Sequence, residues 1–272
     1  MNAYSPKEYW LAIAENFRTV DALGLGPVLH PGAPLWFNLW IDRLQFRAVK
    51  RALALAELKP GSSILDVGCG TGRWLRRYQK MGLHATGADA TAGMLRLARE
   101  RGTLTPLIAG EACRLPFARE QFDAVSDITV VQHIPSLLQR EALSEMSRIL
   151  RPGGRLILME LIQGKGGHIF SRSPEDWIQQ AGSCGLKVIG WFGQEFLLLD
   201  RAFVRAAQAA RGRENSLGIL HTQVSQRPAG FARRAYWNCR RVTLPLSAWA
   251  DPIAEKLCPA RLATHGVFVF RK

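Results

Sequence analysis

Apolar residues recur at helical spacing through most of the first 60 residues. The clearest stretch runs from Leu35 to Leu58 and has the spacing of one helix face. A shorter helix is predicted near residues 7–18, because Ser5-Pro6 provides a cap and a residue suited to the first turn. A Gly- and Pro-rich connector from Gly24 to Pro34 separates the two. Residues 1–60 are therefore predicted to form an N-terminal helical cap.

From Ser62 onward, short apolar runs alternate with segments of helical spacing, which is the pattern of repeated β–α units around a parallel sheet. The predicted fold class is α/β. Strands are predicted at 63–67, 84–88, 104–109, 122–130, 155–161, 187–192 and 265–270. Helices are predicted near 72–81, 91–101, 136–150 and 173–184.

The last predicted strand follows the sixth only after a long interval, so the residues between them are predicted to be an insertion. An amphipathic helix near 196–211, a basic middle and a short helix near 247–257 are expected within it. The predicted domains are a helical cap (1–60), a Rossmann-like core (61–193 and 263–272) and an inserted substrate cap (194–262).

Composition fits a folded domain, because 47% of the residues are apolar, far above the level of disordered chains. The first ten residues do not form a signal peptide, and no apolar run is long enough to cross a membrane, so a cytoplasmic location is expected. The cysteines lack metal-ligand spacing, so reduced thiols and no metal site are predicted. The five are Cys69, Cys113, Cys184, Cys239 and Cys258.

The formal net charge is +14, and 28 of the 36 basic residues are Arg. Such an excess is typical of a nucleic acid partner, an anionic membrane surface or an acidic substrate. Arginines solvated over the whole surface would produce the same excess. Charge alone therefore does not choose between these partners.

The segment Asp66-Val-Gly-Cys-Gly-Thr-Gly72 carries the most specific chemistry of the chain. It lies after an apolar strand and before a helix, where glycines allow a tight turn and a close backbone approach to a ligand. A nicotinamide dinucleotide loop would place its third glycine at position 73, which is Arg73. Asp89 ends the second strand, where a carboxylate can accept hydrogen bonds from both hydroxyls of a ribose.

Together with later motifs, this loop resembles class I methyltransferases with a type 11, ubiE-like core. The resemblance covers residues 60–192 and the last strand. It implies a Rossmann-like seven-stranded sheet with an antiparallel seventh strand, and S-adenosylmethionine across the carboxyl ends of the first, second and fourth strands. The motifs that carry it are Leu65–Gly72, Asp89, Glu111-Ala112, Leu115–Phe117, Phe122-Asp123, Gln132-His133 and Leu150–Gly154.

The resemblance also implies a cofactor site whose product is S-adenosylhomocysteine. Asp66 and the glycine-loop backbone would hold the amino acid moiety, and Asp89 the ribose. Ala90 and Met94 would flank the adenine, with Glu111-Ala112 at its amino edge, although the family more usually has Asp in place of Glu111. The residues implied are Asp66, Gly68, Cys69, Gly70, Gly72, Asp89, Ala90, Met94, Glu111 and Ala112.

Methyl transfer requires mainly in-line positioning, and a base only where the acceptor carries a proton. His133, just beyond the fourth strand, is the first candidate catalytic residue. His168, in a Gly-rich loop after the fifth strand, is the second. Asp127 needs a partner if it is buried. Arg43 either pairs with the donor carboxylate or forms a surface salt bridge, and the aromatic residues of 1–60 would cover the site.

Arginines and aromatic residues interleave in the middle of the insertion. Such a strip suits RNA, a pocket for a phosphorylated or carboxylated small molecule or, with Phe196–Leu199, peripheral contact with anionic lipid. A solvated face is the alternative. The residues are Arg211, Arg213, Arg227, Phe231, Arg233, Arg234, Tyr236, Trp237, Arg240 and Arg241.

The predicted function is methyl transfer to an O or N atom of a small or amphiphilic metabolite, anionic acceptors included. An RNA methyltransferase is the first alternative, although the fourth strand lacks the Asn/Asp-Pro-Pro-aromatic motif that grips a base amine. A non-catalytic cofactor-binding partner or regulatory subunit is the second. The flanks at 36–45 and 263–272 resemble bacterial methyltransferase-like proteins of secondary or surface-glycan metabolism. The sequence carries no signal for an oligomeric state.

Overall fold

The structure, a computed structural model, describes residues 4–16, 24–31, 33–209 and 231–272. A mixed sheet occupies its centre. Its strands are β1 (Ser63–Val67), β2 (His84–Asp89), β3 (Leu107–Ala109), β4 (Phe122–Ile128), β5 (Leu150–Leu161), β8 (Lys187–Gln194) and β9 (His265–Arg271), and a separate two-stranded hairpin comprises β6 (Lys165–Gly166) and β7 (Ile169–Phe170).

The seven strands of the sheet are ordered β3-β2-β1-β4-β5-β9-β8. Strands β1 to β5 pair in parallel, whereas β9 runs antiparallel between β5 and β8. The predicted α/β, Rossmann-like sheet with an antiparallel last strand is thereby confirmed. The helices are α1 (Pro6–Asn16), α2 (Leu35–Leu55), α3 (Arg73–Lys80), α4 (Ala92–Glu100), α5 (Gln139–Ile149), α6 (Pro174–Gly182), α7 (Leu198–Ala209) and α8 (Phe231–Leu257).

Both faces of the sheet are buried, which explains why its strands read as nearly continuous apolar runs. Alternate residues of β5 point to opposite faces: Leu156 and Leu158 pack with α5 and α6, while Ile157 and Met159 pack with α2 and α3. The carboxyl ends of the parallel strands are thus held between two helical layers, and their loops gather at one edge.

Helix α8 contradicts the predicted short helix near 247–257, because it begins at Phe231 and continues through Pro245 and Pro252. Each proline lacks an N–H and so removes one backbone hydrogen bond from the helix. Packing outweighs this loss. Leu244 and Ala248 of the inward face are buried against α2.

Polar contacts fix the same inward face. The Arg240 guanidinium donates to the Asp200 carboxylate over 3.1 Å from Nε and 2.5 Å from Nη2, and both side chains are buried. The Asp251 carboxylate accepts from the Leu197 amide at 2.8 Å. Arg240, predicted as part of an exposed basic strip, is therefore an internal anchor between α7 and α8.

Candidate functional site

A cavity of about 520 Å³ lies at the carboxyl ends of β1, β2 and β4. Ligands of open α/β sheets bind at this edge, and the volume suits a small-molecule site. Asp66, Gly72 and His168 are not among the wall residues. Nine of the residues predicted for the site are: Gly68, Cys69, Gly70, Asp89, Ala90, Met94, Glu111, Ala112 and His133.

Two glycines of the loop between β1 and α3 have no room for a side chain. Gly68 and Gly70 adopt φ values of 66° and 51°, in the left-handed region that favours glycine. A Cβ on Gly70 would lie 2.7 Å from a Val28 methyl, and one on Gly68 would collide with Val130. The loop therefore presents bare backbone to the cavity, as predicted for a chain that approaches a ligand closely.

Asp89 ties the end of β2 to the glycine loop. Its Oδ2 accepts from the Gly70 amide at 2.9 Å, and its Oδ1 accepts from the Thr91 amide at 2.8 Å. Burial raises the pKa of Asp89, and these two amides oppose that shift. Each carboxylate oxygen has a second acceptor site. Because Asp89 also forms part of the cavity wall, it fits the predicted pair of ribose hydroxyls.

Asp66 lies beneath the loop and is only 1% exposed. Its Oδ1 accepts from the Ser126 hydroxyl at 2.7 Å, while Oδ2 has no hydrogen-bond partner among the described residues. Burial raises the pKa of Asp66 to about 7. A buried, half-satisfied carboxylate is costly. Because Asp66 is not a wall residue of the cavity, its predicted role in holding the amino acid moiety stays a prediction.

The arginine in the cavity wall is Arg73; Arg43, predicted either to pair with the donor carboxylate or to form a surface salt bridge, is not a wall residue. Arg43 is exposed, with its guanidinium 5.4 Å from the centre of the Trp40 ring. Arg73 begins α3 and is buried in the cavity wall. Its two Nη atoms donate to Asp42 and Gln45 of α2, each over 2.9 Å.

The charge of Arg73 is maintained despite its burial. Burial lowers its pKa, and the Asp42 carboxylate opposes that shift. Burial by itself would raise the pKa of Asp42, but hydrogen bonds from Arg77 and the charge of Arg73 outweigh it, so the net shift is downward. The acid on α2 and the arginine directly after the glycine loop were the sequence signals for this pair.

Glu160, which sequence reasoning did not identify, holds the turn after β4. Its Oε1 accepts from the amides of Val130 and Val131 at 3.0 and 2.9 Å, and its Oε2 accepts from the Gln132 amide at 3.0 Å. Glu160 is 0% exposed. One carboxyl group thus satisfies three successive backbone donors and sets the position of the turn.

Asp127 lies next to Glu160, and Glu160 is the partner that the burial of Asp127 was predicted to require. Burial raises the pKa of Asp127 to about 7. Burial and the Asp127 charge raise the pKa of Glu160 well above its usual value, and Asp127 Oδ1 accepts from the Val130 amide at 3.2 Å. The two carboxyl groups form a buried pair behind the cavity wall.

The two candidate catalytic histidines are stacked on each other, with ring centres 5.0 Å apart and planes 17° apart. Leu161 donates its amide to Gln132 Oε1, so Gln132 Nε2 faces His133 Nε2 as a donor at 3.3 Å. His133 Nδ1 then carries the hydrogen towards the His168 carbonyl oxygen, 3.3 Å away. His133 is accordingly neutral in this arrangement, and His168 lies behind it.

Helix α1 covers this side of the cavity. Trp10 packs edge-on to the His133 ring, and the Tyr4 hydroxyl donates to the His133 carbonyl oxygen at 3.1 Å. Tyr4 and Trp10 belong to the cavity wall, as predicted for the aromatic residues of the N-terminal segment. Trp36 and Phe37 do not; they pack against Trp237 of α8.

The basic insertion contributes no wall residue to the described cavity. Arg234 and Arg241 lie exposed on α8. Arg211, Arg213 and Arg227 lie outside the described residues, as does His221. The predicted acceptor contacts of this strip therefore remain a prediction.

Residues 65–158 match the family described as "Methyltransferase domain", Methyltransf_11. Similar curated proteins include the demethylmenaquinone methyltransferase of Mycobacterium tuberculosis, 38% identical over 144 residues, which are 53% of this chain and 58% of that protein. Another is the probable tRNA methyltransferase 9B of Bos taurus, 39% identical over 105 residues, which are 38% of this chain and 22% of that protein. The chain thus spans less than two thirds of the length of either relative.

Solved structures share the fold at low sequence identity. The [4+2]-cyclase SpnF superposes with a TM-score of 0.61 and 21% identity, covering 100% of this chain and 97% of its own. A putative sarcosine dimethylglycine methyltransferase of Galdieria sulphuraria gives 0.57 and 14%, covering 97% and 98%. Phosphoethanolamine N-methyltransferase 2 of Haemonchus contortus, solved with S-adenosylmethionine, gives 0.57 and 18%, covering 100% and 60%.

Replacing Asp89 with Ala should weaken S-adenosylhomocysteine binding by roughly tenfold or more, because hydrogen bonds to a charged acceptor contribute about 1.5–3 kcal/mol each. Isothermal titration calorimetry measures this directly. The matched control is Asp176→Ala, which removes an exposed acid on α6. Equal affinities for wild type and Asp89→Ala would disprove the ribose assignment.

The raised pKa of Asp66 predicts a fold whose stability falls as the pH rises from about 4 to 7. In this window the folded protein keeps the Asp66 proton and the unfolded chain, with a pKa near 3.9, has lost it, so protons favour the folded state. Urea unfolding at the two ends of the window measures the change. Asp66→Asn should make the fall shallower but not abolish it, since Asp127, whose pKa is also raised to about 7, contributes in the same window; an unchanged slope would contradict the assignment.

Proposed function

We propose that this chain, whose residues 65–158 are a class I methyltransferase domain with S-adenosylmethionine as its cofactor, methylates an O or N atom of a small or amphiphilic metabolite, anionic acceptors included. The observation that carries the proposal is the cavity. It extends from the bare glycine loop to an apolar wall after β4, and α1 covers it. A covered cavity excludes water and suits a small acceptor.

The donor side would be formed by the glycine-loop backbone, Asp89 and Arg73. The loop amides and the Arg73 guanidinium are the cationic or donor groups of this wall, and they suit a carboxylate. Asp89 would accept the ribose hydroxyls. Ala90 and Met94, also in the wall, would flank the adenine, with Glu111-Ala112 at its edge.

The acceptor side would lie beyond the turn held by Glu160. Trp10, Ile134 and Leu138 give this wall apolar surface, which favours an acceptor with an aromatic or aliphatic part. Lys7 of α1 lies at the rim, 3.8 Å from Glu111, and therefore at the end of the cavity proposed for the adenine rather than in this wall.

S-adenosylmethionine supplies a methyl group already activated on its sulfonium. When this cofactor is bound, the acceptor lone pair would take the methyl carbon as the bond to sulfur breaks, with S-adenosylhomocysteine as the product. Where the acceptor carries a proton, we assign its removal to His133 Nε2, which must first exchange its hydrogen bond from Gln132. His168 would act through the orientation of the His133 ring.

RNA methylation is the second candidate, and the match to the probable tRNA methyltransferase 9B favours it. A cofactor-binding protein without transfer activity is the third. The likeness to a [4+2]-cyclase is a reason to retain this third candidate, since a shared fold does not specify the reaction.

We place the protein in the cytoplasm because its five cysteines are unpaired. Among the described residues, no helix has the length and apolarity to cross a bilayer.

The experiment that separates these candidates follows the methyl group itself. Protein, S-adenosylmethionine labelled in the methyl group and an extract of the source cells are incubated, then separated into small molecules, lipids and RNA. Label in the small-molecule or lipid fraction supports the proposal, and label in RNA overturns it in favour of the second candidate. Asp89→Ala is the control for transfer at this site, and no label in any fraction favours a non-catalytic protein.

Once an acceptor is identified, His133→Ala should lower kcat by about 10²–10⁴-fold, the usual contribution of a general base. Its affinity for S-adenosylhomocysteine should stay within twofold or so of wild type, because the donor side is built by other residues. The pH profile of kcat is the second measurement, since loss of a base also removes its ionisation from the profile. Full activity of His133→Ala would eliminate this role.

A further inference from the structure

Helix α8 presents an apolar stripe to solvent. Its five members follow one another at intervals of three or four residues and therefore lie within an arc of about 80° on the helix surface. Trp249 and Leu257 are the most open, at 77% and 79% exposed. The α8 stripe consists of Val242, Leu246, Trp249, Ile253 and Leu257.

The charges of α8 are divided between its two faces. Both of its acids turn inward: Asp251 is 1% exposed, and Glu255 is paired with Arg47 and Arg51. The charged side chains described on the outer face are cations, namely Arg234, Arg241 and Lys256. The surface beside the α8 stripe is thus apolar and positive, without an exposed carboxylate of the same helix.

We propose that the α8 stripe docks this protein on an anionic lipid bilayer. Trp, Leu and Ile side chains enter the boundary between headgroups and acyl chains, and flanking cations bind the acidic headgroups. Both components are present on α8, where the cations lie along one border of the apolar arc. The inference does not depend on the proposed methyl transfer, since docking uses a face separate from the cavity.

A second copy of the chain fits this face poorly. In a twofold dimer the same surface meets itself, so the cations of one α8 would approach those of the other with no carboxylate between them. An anionic bilayer instead offers a dense negative surface and an apolar layer beneath it. Charge complementarity therefore favours lipid over self-association.

The structure also corrects the segment expected to contact lipid. Phe196 and Leu197 are only 1% and 6% exposed and belong to the core. Leu198 and Leu199 are about half exposed at the start of α7. Of the exposed large apolar side chains described between residues 196 and 257, most therefore lie on α8, where the sequence had predicted only a short helix.

The test is sedimentation with vesicles of phosphatidylcholine alone and of phosphatidylcholine mixed with phosphatidylglycerol. Wild type should bind the mixed vesicles. The double variant Leu246→Glu/Trp249→Glu should bind them about tenfold or more weakly, because two apolar side chains are replaced by carboxylates that the acidic headgroups repel. The matched control, Leu104→Glu/Leu137→Glu, adds the same charge at leucines that are 84% and 92% exposed elsewhere. Calorimetry with S-adenosylhomocysteine establishes that both variants are folded.

Four outcomes would overturn the proposal. Equal losses in the two double variants would indicate a response to net charge alone, and equal binding to both vesicle types would exclude a role for acidic headgroups. A wild-type dimer in gel filtration that Leu246→Glu/Trp249→Glu dissociates would assign the face to self-association. A loss of folding stability in that variant with vesicle binding unchanged would mean that the chain itself covers the α8 stripe.

Discussion

One buried carboxyl group determines the acceptor side of this site. Glu160 accepts three successive amides after β4, and parallel strands leave such donors unpaired where they end. The turn it holds presses Val130 against Gly68, which is why that glycine has no space for a side chain. The same turn carries Gln132, whose amide orients His133. Removing the Glu160 carboxyl group would therefore disturb the glycine loop and the candidate base together.

Asp89 does for the donor side what Glu160 does for the acceptor side. Both are acids at the carboxyl edge of the sheet, and both accept from amides of the loops that gather at this edge. They differ in exposure to the cavity. Asp89 is a wall residue that can bind a ligand as well, whereas Glu160 lies behind the wall and pairs with Asp127. The buried acids at this edge thus position the backbone, and Asp89 is in addition placed where the proposed function needs a cofactor contact.

The sequence predicted the features that depend on local pattern and failed where distant contacts decide. The glycine loop, Asp89 and the seven strands follow from spacing along the chain, and the sheet confirms the strands. Glu160 could not be predicted, because the sequence does not show that the amides it accepts lie on the turn after β4, far from it along the chain. Arg73 was not predicted as a site residue, because only the packing of α2 against α3 shows that its side chain lies in the cavity wall. The helix predicted near 247–257 is only the end of α8, whose full length depends on packing against α2.

The fold also changes what the net charge of +14 means. Among the described residues, eight acids but only two arginines are buried, since the interior uses carboxylates to satisfy backbone amides and to anchor helices. The surface is consequently more cationic than the composition suggests. On α8 the acids Asp251 and Glu255 face inward together with Arg240, and the charged side chains described on the outer face are cations beside apolar side chains. At α8 the excess of positive charge is therefore concentrated on one exposed face, beside the apolar stripe. A partner that is both anionic and partly apolar would complement the cations and the stripe together.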